Sequence, residues 1–182
     1  NIELAPGKLE SKGLWARVDS TFAAIATGKV SDGCSAPRGT LLMLYVDTSV
    51  LVALCTHEEK TESVIRWYQG CKSELASAVW CVTEFSSALS LKQRTGQLDH
   101  DQAQAAWRQF ERVCANDLQL LSMSNQLFHK AAELTRQSKA GLRGGDALHL
   151  ACALHSKAKA MVTLDQGMAK CSKLHHLQVV MP

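Results

Sequence analysis

The chain has 182 residues, 46% hydrophobic and 20% charged, with a formal net charge of +3. These values suit a globular protein large enough for one α/β domain and a short appendage. No run of about 18 apolar residues is present to span a bilayer, and the opening Asn1-Ile2-Glu3-Leu4-Ala5-Pro6 lacks the pattern of a secretory leader. Seven cysteines, at 34, 55, 71, 81, 114, 152 and 171, are an odd number with no C-x-x-C pair, so a reduced, cytoplasmic chain is expected.

Two unequal pieces are expected. Residues 1–42 carry two of the three prolines and a loose polar stretch from Gly28 to Thr40, with one short amphipathic helix in Leu14-Trp15-Ala16-Arg17-Val18 through Phe22-Ala23-Ala24-Ile25. That is too little to fold alone. At Met43 the character changes. Met43-Leu44-Tyr45-Val46 is a continuous apolar run ending at Asp47, as in a buried parallel strand. Helices are expected over 48–55 and 58–71, a second strand over 75–80, and a helix over 82–94 closed by Gly96. Asp99 caps a helix reaching 115, and 118–121 is a third strand. Helices over 125–139 and 146–157 flank the glycine-rich Gly141-Leu142-Arg143-Gly144-Gly145. A fourth strand over 160–164, a short helix from Asp165 and a last strand over 177–180 complete the pattern. Strands alternating with helices imply a mostly parallel sheet covered on both faces.

In such sheets, sites form beyond the carboxyl ends of the strands. Asp47 ends the first strand, Glu84 follows the second, Asp165 follows the fourth, and Asp146 opens the helix that feeds the fourth, behind a glycine pair that admits close backbone approach. Each has a plain structural alternative: Asp47, Asp146 and Asp165 stand at or near helix N-termini as caps, and Glu84 in a first turn suits the macrodipole. Their joint position decides differently. Four grouped carboxylates would take up protons unless a cation is bound, and hard divalent ions with oxygen ligands meet that need. Such ions can polarise a phosphate, activate water and stabilise a leaving oxygen. From Met43 onward there are 15 Lys/Arg and 13 Asp/Glu; with four acids in one cleft, the remaining surface is basic enough to attract a polyanion, although ordinary solvated charge reads equally well.

Four blocks then resemble a known family in order and spacing. Tyr45-Val46-Asp47-Thr48-Ser49-Val50-Leu51-Val52-Ala53-Leu54 looks like the opening of PIN-domain nucleases, particularly VapC-like toxins of bacterial type II toxin–antitoxin pairs. Val82-Thr83-Glu84-Phe85-Ser86-Ser87-Ala88-Leu89, Gly145-Asp146-Ala147-Leu148-His149-Leu150-Ala151 and Thr163-Leu164-Asp165 are similar to the family's later acid blocks. Met168 departs from the aromatic that often follows the fourth acid. The resemblance covers essentially 43–182. It implies a three-layer α/β/α sandwich around about five strands, and a divalent-metal-dependent endoribonuclease in which a metal-activated water hydrolyses RNA phosphodiesters. It further implies Mg²⁺ or Mn²⁺ as cofactor, with Asp47, Glu84 and Asp146 as principal ligands and Asp165 joining directly or through water. Thr48, Ser49 and Thr163 are supporting hydroxyls, each of which could equally bond nearby backbone. Implied partners are an RNA loop of transfer or ribosomal RNA, a cognate antitoxin and a second copy of the chain. Residues 1–42 then read as an antitoxin-derived tail, with Arg17 as a guanidinium able to enter the acid cleft and displace metal, or as a fusion leader.

His149 reads as helix packing with a polar contact at the site, His155 forms no zinc motif, and His175-His176 reads as surface. Trp67, Trp80 and Trp107 read as core or interface. Lys92, Arg94, Arg143 and Lys170 are either phosphate contacts or solvated surface. Other classes fit less well. A nuclease-fold module without catalysis would not need all four acids. A haloacid-dehalogenase-type phosphatase wants D-x-D, and Ser49 stands at its second Asp position. A dinucleotide-binding enzyme lacks its G-x-G-x-x-G, and a receiver domain lacks its acid pair and lysine.

Overall fold

Five short strands of the computed structural model set the frame. They are β1 (Met43–Val46), β2 (Glu74–Ala78), β3 (Leu118–Leu121), β4 (Ala160–Val162) and β5 (Gln178–Val180). All pair in parallel, in the order β3-β2-β1-β4-β5. The structure describes residues 42–138 and 141–182, all within the unit Thr40–Pro182. Apart from Leu42, the appended segment read over 1–42, Arg17 included, lies outside the described residues. Seven helices among the described residues connect and cover the sheet: α1 (Thr48–Cys55), α2 (Thr61–Gly70), α3 (Trp80–Arg94), α4 (His100–Asn116), α5 (Asn125–Gln137), α6 (Gly144–His155) and α7 (Gln166–Leu174). None is long and apolar enough to cross a membrane.

The contacts divide the helices into two layers. α1 packs against α2, α3 and α4, whereas α6 packs chiefly against α5, also touching α7 and, near Glu84, α3. This follows from topology: β1 to β3 run toward one edge and β4 to β5 toward the other, so right-handed crossovers put the two sets on opposite faces. The result is the expected α/β/α sandwich, with an entirely parallel sheet. α1 and α6 are buried almost all round, including Val50, Leu51, Ala53 and Leu54 on α1 and Ala147, Leu150, Ala151 and Ala153 on α6. That is why their sequences show apolar runs rather than one stripe. A strand order that reverses beside β1 creates a crevice between the carboxyl ends of β1 and β4, and Asp47 and Asp165 follow those two strands.

Local signals end the elements as their chemistry requires. Asp99 and Gln102 form a reciprocal capping box at α4, with Asp99 Oδ1 accepting from the Gln102 N–H at 2.8 Å and Gln102 Oε1 accepting from the Asp99 N–H at 2.9 Å. Gly96, at φ 72°, closes α3: its N–H donates to Gln93 O at 3.1 Å, and the Gln97 N–H donates to Lys92 O at 2.8 Å.

Several boundaries differ from the periodicity. Strand β2 stops at Ala78, and Trp80, read as its last residue, instead starts α3, so Glu84 lies in the second turn rather than the first. α2 begins at Thr61 because that hydroxyl, accepting from Glu58 N–H and donating to Ala53 O and Thr56 O, organises the preceding residues as a loop. α6 begins at Gly144, two residues early, and α5 and β4 each end two residues early. The six cysteines among the described residues are free, as expected for thiols serving as small apolar groups.

Phe85 on α3 stacks on Phe110 of α4 with centroids 4.1 Å apart, and both are buried. Phe110→Ala should therefore lower unfolding free energy by about 3–5 kcal/mol, measured by urea denaturation; a loss under about 1 kcal/mol would show that this helix pair does not contribute to the core as described.

Candidate active site

Each of the four acids arrives at the carboxyl edge by a different local route. Asp47 occupies the N-cap position of α1 with extended backbone, yet its side chain makes no capping bond. Its Oδ2 instead accepts from Ser49 Oγ at 2.6 Å and from Thr163 Oγ1 at 2.7 Å. It is 6% exposed. Asp165 does cap: its Oδ1 accepts from the Met168 N–H of α7 at 2.6 Å, and its own N–H donates to Thr163 Oγ1 at 3.0 Å. Asp146 is the third residue of α6, whose N-cap is Arg143, so it neither opens nor caps that helix. Glu84 is half-buried, and its Oε2 accepts from Thr48 Oγ1 at 2.6 Å.

Asp146 feels the charge of the other three acids. Asp146 has its carboxyl pKa raised, first by burial and then by the negative charges of Asp47, Asp165 and Glu84. Glu84 moves the other way. Burial alone would raise it, but its bond and charge interaction with His149, with support from Thr48 and Trp80, hold it below the usual carboxylate range. His149 is the partner of that pair. Burial pushes its pKa down, and Glu84, Asp47 and Asp146 together more than reverse this.

Sequence reading assigned His149 mainly to packing. It is fully buried, with Nε2 in short contact with Glu84 Oε2, 3.0 Å from Thr48 Oγ1 and 3.9 Å from Asp47 Oδ1. Nδ1 lies 2.8 Å from the Tyr45 hydroxyl. Tyr45 was not singled out at all, because a strand tyrosine among apolar neighbours gives no signal of its own. Trp80 and Gly145 complete the wall. A Cβ built on Gly145 would stand 2.5 Å from Glu84 Oε1 and 3.3 Å from the Trp80 indole nitrogen, so glycine is what lets α6 approach Glu84 this closely. The buried indole N–H closes no hydrogen bond of normal geometry among the described residues, but it sits near enough to favour the ionised Glu84.

The donor chemistry fits a hard divalent cation. One oxygen each of Asp47, Glu84 and Asp165 is held by protein donors, leaving Asp47 Oδ1 and Asp165 Oδ2 without a hydrogen-bond donor among the described residues. Oxygen-only ligands of this kind suit Mg²⁺ or Mn²⁺ better than softer metals. The set is not already closed: among the described residues, no three His, Cys, Asp or Glu side chains stand as a ready-made cage. An ion that keeps several waters does not need one.

Other expected residues fall further away or are otherwise engaged. Lys92 pairs with Glu58 at 2.7 Å and bonds Gln97 at 3.2 Å. Arg94, Arg143 and Lys170 are exposed, as are His155, His175 and His176. Trp67, Trp80 and Trp107 are partly buried, with Trp107 tilted against Phe85 and Phe110. Beside Ser49 and Asp165 a cavity of about 440 Å³ opens, walled in part by Val52, Ala88, Leu91 and Leu164.

Because burial and like charge both oppose ionised Asp146, the metal-free protein is strained there at neutral pH. A raised carboxyl pKa penalises the fold above its folded value, and the penalty is relieved as pH falls through that value toward the unfolded one near 3.9. With divalent ions chelated at pH 7.5, Asp146→Asn should melt at a higher temperature than wild type, and the gain should shrink at pH 5. An unchanged or lower melting temperature at pH 7.5 would contradict the repulsion.

Comparison with known proteins agrees with the architecture. The crystal structure of VapC20 of Mycobacterium tuberculosis, described as a sarcin–ricin loop cleaving toxin, matches with 18% identity and a TM-score of 0.57, over 70% of this chain and 93% of that one. PAE2754 of Pyrobaculum aerophilum matches with 20% identity and a TM-score of 0.57, over 83% and 92%. FitAcB of Neisseria gonorrhoeae matches with 15% identity and a TM-score of 0.58, over 75% and 96%. At these identities the likeness concerns the fold alone. No curated protein matches the sequence. The family model for the PIN domain matches residues 44–174, a span holding all four acids, β2 to β4 and all of β1 but Met43, and the chain belongs to the PIN domain family.

Proposed function

We propose that this protein is a divalent-metal-dependent endoribonuclease, the toxin of a toxin–antitoxin pair, with Asp47, Glu84, Asp146 and Asp165 as its metal-site acids. The observation that carries the reading is that Asp47, Glu84 and Asp165, distant in sequence, stand close enough to Asp146 at one edge of the sheet for their charge to bear on it. A bound Mg²⁺ or Mn²⁺ supplies Lewis acidity toward the phosphodiester and makes water a competent nucleophile near neutral pH.

The chain's own residues hold and orient. Ser49 and Thr163 fix one oxygen of Asp47, and Thr48 fixes one oxygen of Glu84. Asp146, its pKa raised in part by the charge of Asp47, Asp165 and Glu84, would be eased in its ionised form by a cation that neutralises them. The cavity beside Ser49 and Asp165 gives a nucleotide next to the cleaved bond room to sit, and the products are 5′-phosphate and 3′-hydroxyl ends.

The substrate proposed is a loop of transfer or ribosomal RNA, whose unpaired bases are accessible to protein; the description of VapC20 favours this class. A cognate antitoxin and a second copy of the chain are the proposed partners, and the cytoplasm the proposed compartment. Residues 1–42 are proposed as an antitoxin-derived tail that restrains the nuclease in cis, with Arg17 as its inhibitory residue. The phosphatase alternative is disfavoured by Ser49, which serves Asp47 as a hydrogen-bond donor where that chemistry needs a second carboxylate.

Incubation of the full chain with structured RNA should give cleavage with Mg²⁺ or Mn²⁺ and none with EDTA. Asp47→Asn should reduce the rate at least about 100-fold, the scale for removing one principal electrostatic group from an active site. Equal cleavage by both proteins would remove Asp47 from the mechanism. RNA binding without cleavage under all conditions would instead favour a catalytically inactive module. Removing 1–42 should raise the rate; an unchanged rate counts against restraint in cis.

A further inference from the structure

We infer that the Tyr45 hydroxyl and His149 are positioning residues that hold the Glu84 carboxylate in register with Asp47 and Asp146, an inference that rests on the metal-site reading above. Tyr45 is the third residue of β1, paired in register with Ala76 of β2 and Met161 of β4, and is fully buried. Burying a phenol rather than a phenylalanine costs free energy unless its hydroxyl is partnered. Here it is partnered: it accepts the Ala78 N–H at 2.9 Å and lies 2.8 Å from His149 Nδ1.

Those partners are not arbitrary positions. Tyr45 stands two residues before Asp47 on β1. Ala78 ends β2, directly before the helix carrying Glu84. His149 stands one helical turn after Asp146 on α6. One hydroxyl therefore ties together the three segments that bear Asp47, Glu84 and Asp146.

The imidazole passes the constraint on. If the ring is neutral, the Tyr45 O–H donates to Nδ1 and the proton sits on Nε2; if it is charged, both nitrogens carry protons. In either state Nε2 presents N–H to Glu84 Oε2, while the Thr48 hydroxyl donates to that same oxygen. Two converging donors leave Glu84 little rotational freedom and keep Oε1 on the side of Trp80 and Gly145. Neither Tyr45 nor His149 needs to touch RNA or metal for this.

The test is Mn²⁺ binding to the full chain, read by calorimetry or by the loss of free-ion paramagnetic resonance signal, with thermal melting recorded in parallel. Tyr45→Phe keeps the ring and removes only the hydroxyl, and His149→Leu keeps comparable volume and removes the donor. Each should weaken Mn²⁺ binding by about 10-fold or more while remaining folded, the scale seen when groups that orient ligands are lost. His149→Gln can still donate an N–H toward Glu84 and should stay within about 3-fold of wild type. Wild-type affinity in both Tyr45→Phe and His149→Leu would reduce the pair to core packing and overturn the inference. Should His149→Leu fail to fold, Tyr45→Phe decides. Absence of Mn²⁺ binding by the wild-type chain would overturn the metal-site reading itself, an outcome separate from equal binding by all variants.

Discussion

Carboxylates brought together at the end of a sheet repel one another, and much of the local structure at this edge answers that repulsion. Asp146 bears the cost most visibly, with a pKa raised by burial and by three neighbouring acids. Glu84 escapes it through His149, whose own pKa is raised in return. Asp47 is held by two hydroxyls, and Asp165 by a helix N-terminus. What repulsion remains at Asp146 can be relieved by taking up a proton or, under the proposed function, by a divalent cation.

The fold makes this crowding possible without disrupting the core. A parallel sheet presents all its carboxyl ends on one side, and the order β3-β2-β1-β4-β5 opens a crevice between β1 and β4. The polar groups meet above a packed interior, and Tyr45 joins both regions, ring among apolar neighbours and hydroxyl toward His149. Packing and polar contacts therefore share a side chain, since the Tyr45 hydroxyl and Glu84 Oε2 both contact His149.

Much of this was legible in the sequence because the signals were local. Met43–Val46 had the apolar run of a buried strand, Gly96 and Asp99 marked helix ends, and the four acid blocks stood in family order. Glu84 was placed one turn early because Trp80 continues the apolar run of β2, and nothing in Leu75 to Trp80 distinguishes a strand that stops at Ala78 from one that does not. The Tyr45–His149 contact spans 104 residues and carries no periodicity. Only the packing of α6 against the sheet reveals it. The glycines before Asp146 were read as permitting close approach, and Gly145 does so against Glu84, although as part of the helix rather than of a loop before it.

The proposed convergence of the acids on a shared cation is most directly examined by anomalous diffraction at the manganese edge from crystals of the full chain equilibrated with Mn²⁺. The account requires a peak within coordination distance of Asp47 and at least one of Glu84 and Asp146. A well-ordered edge without a peak, or manganese bound only elsewhere on the surface, would contradict it.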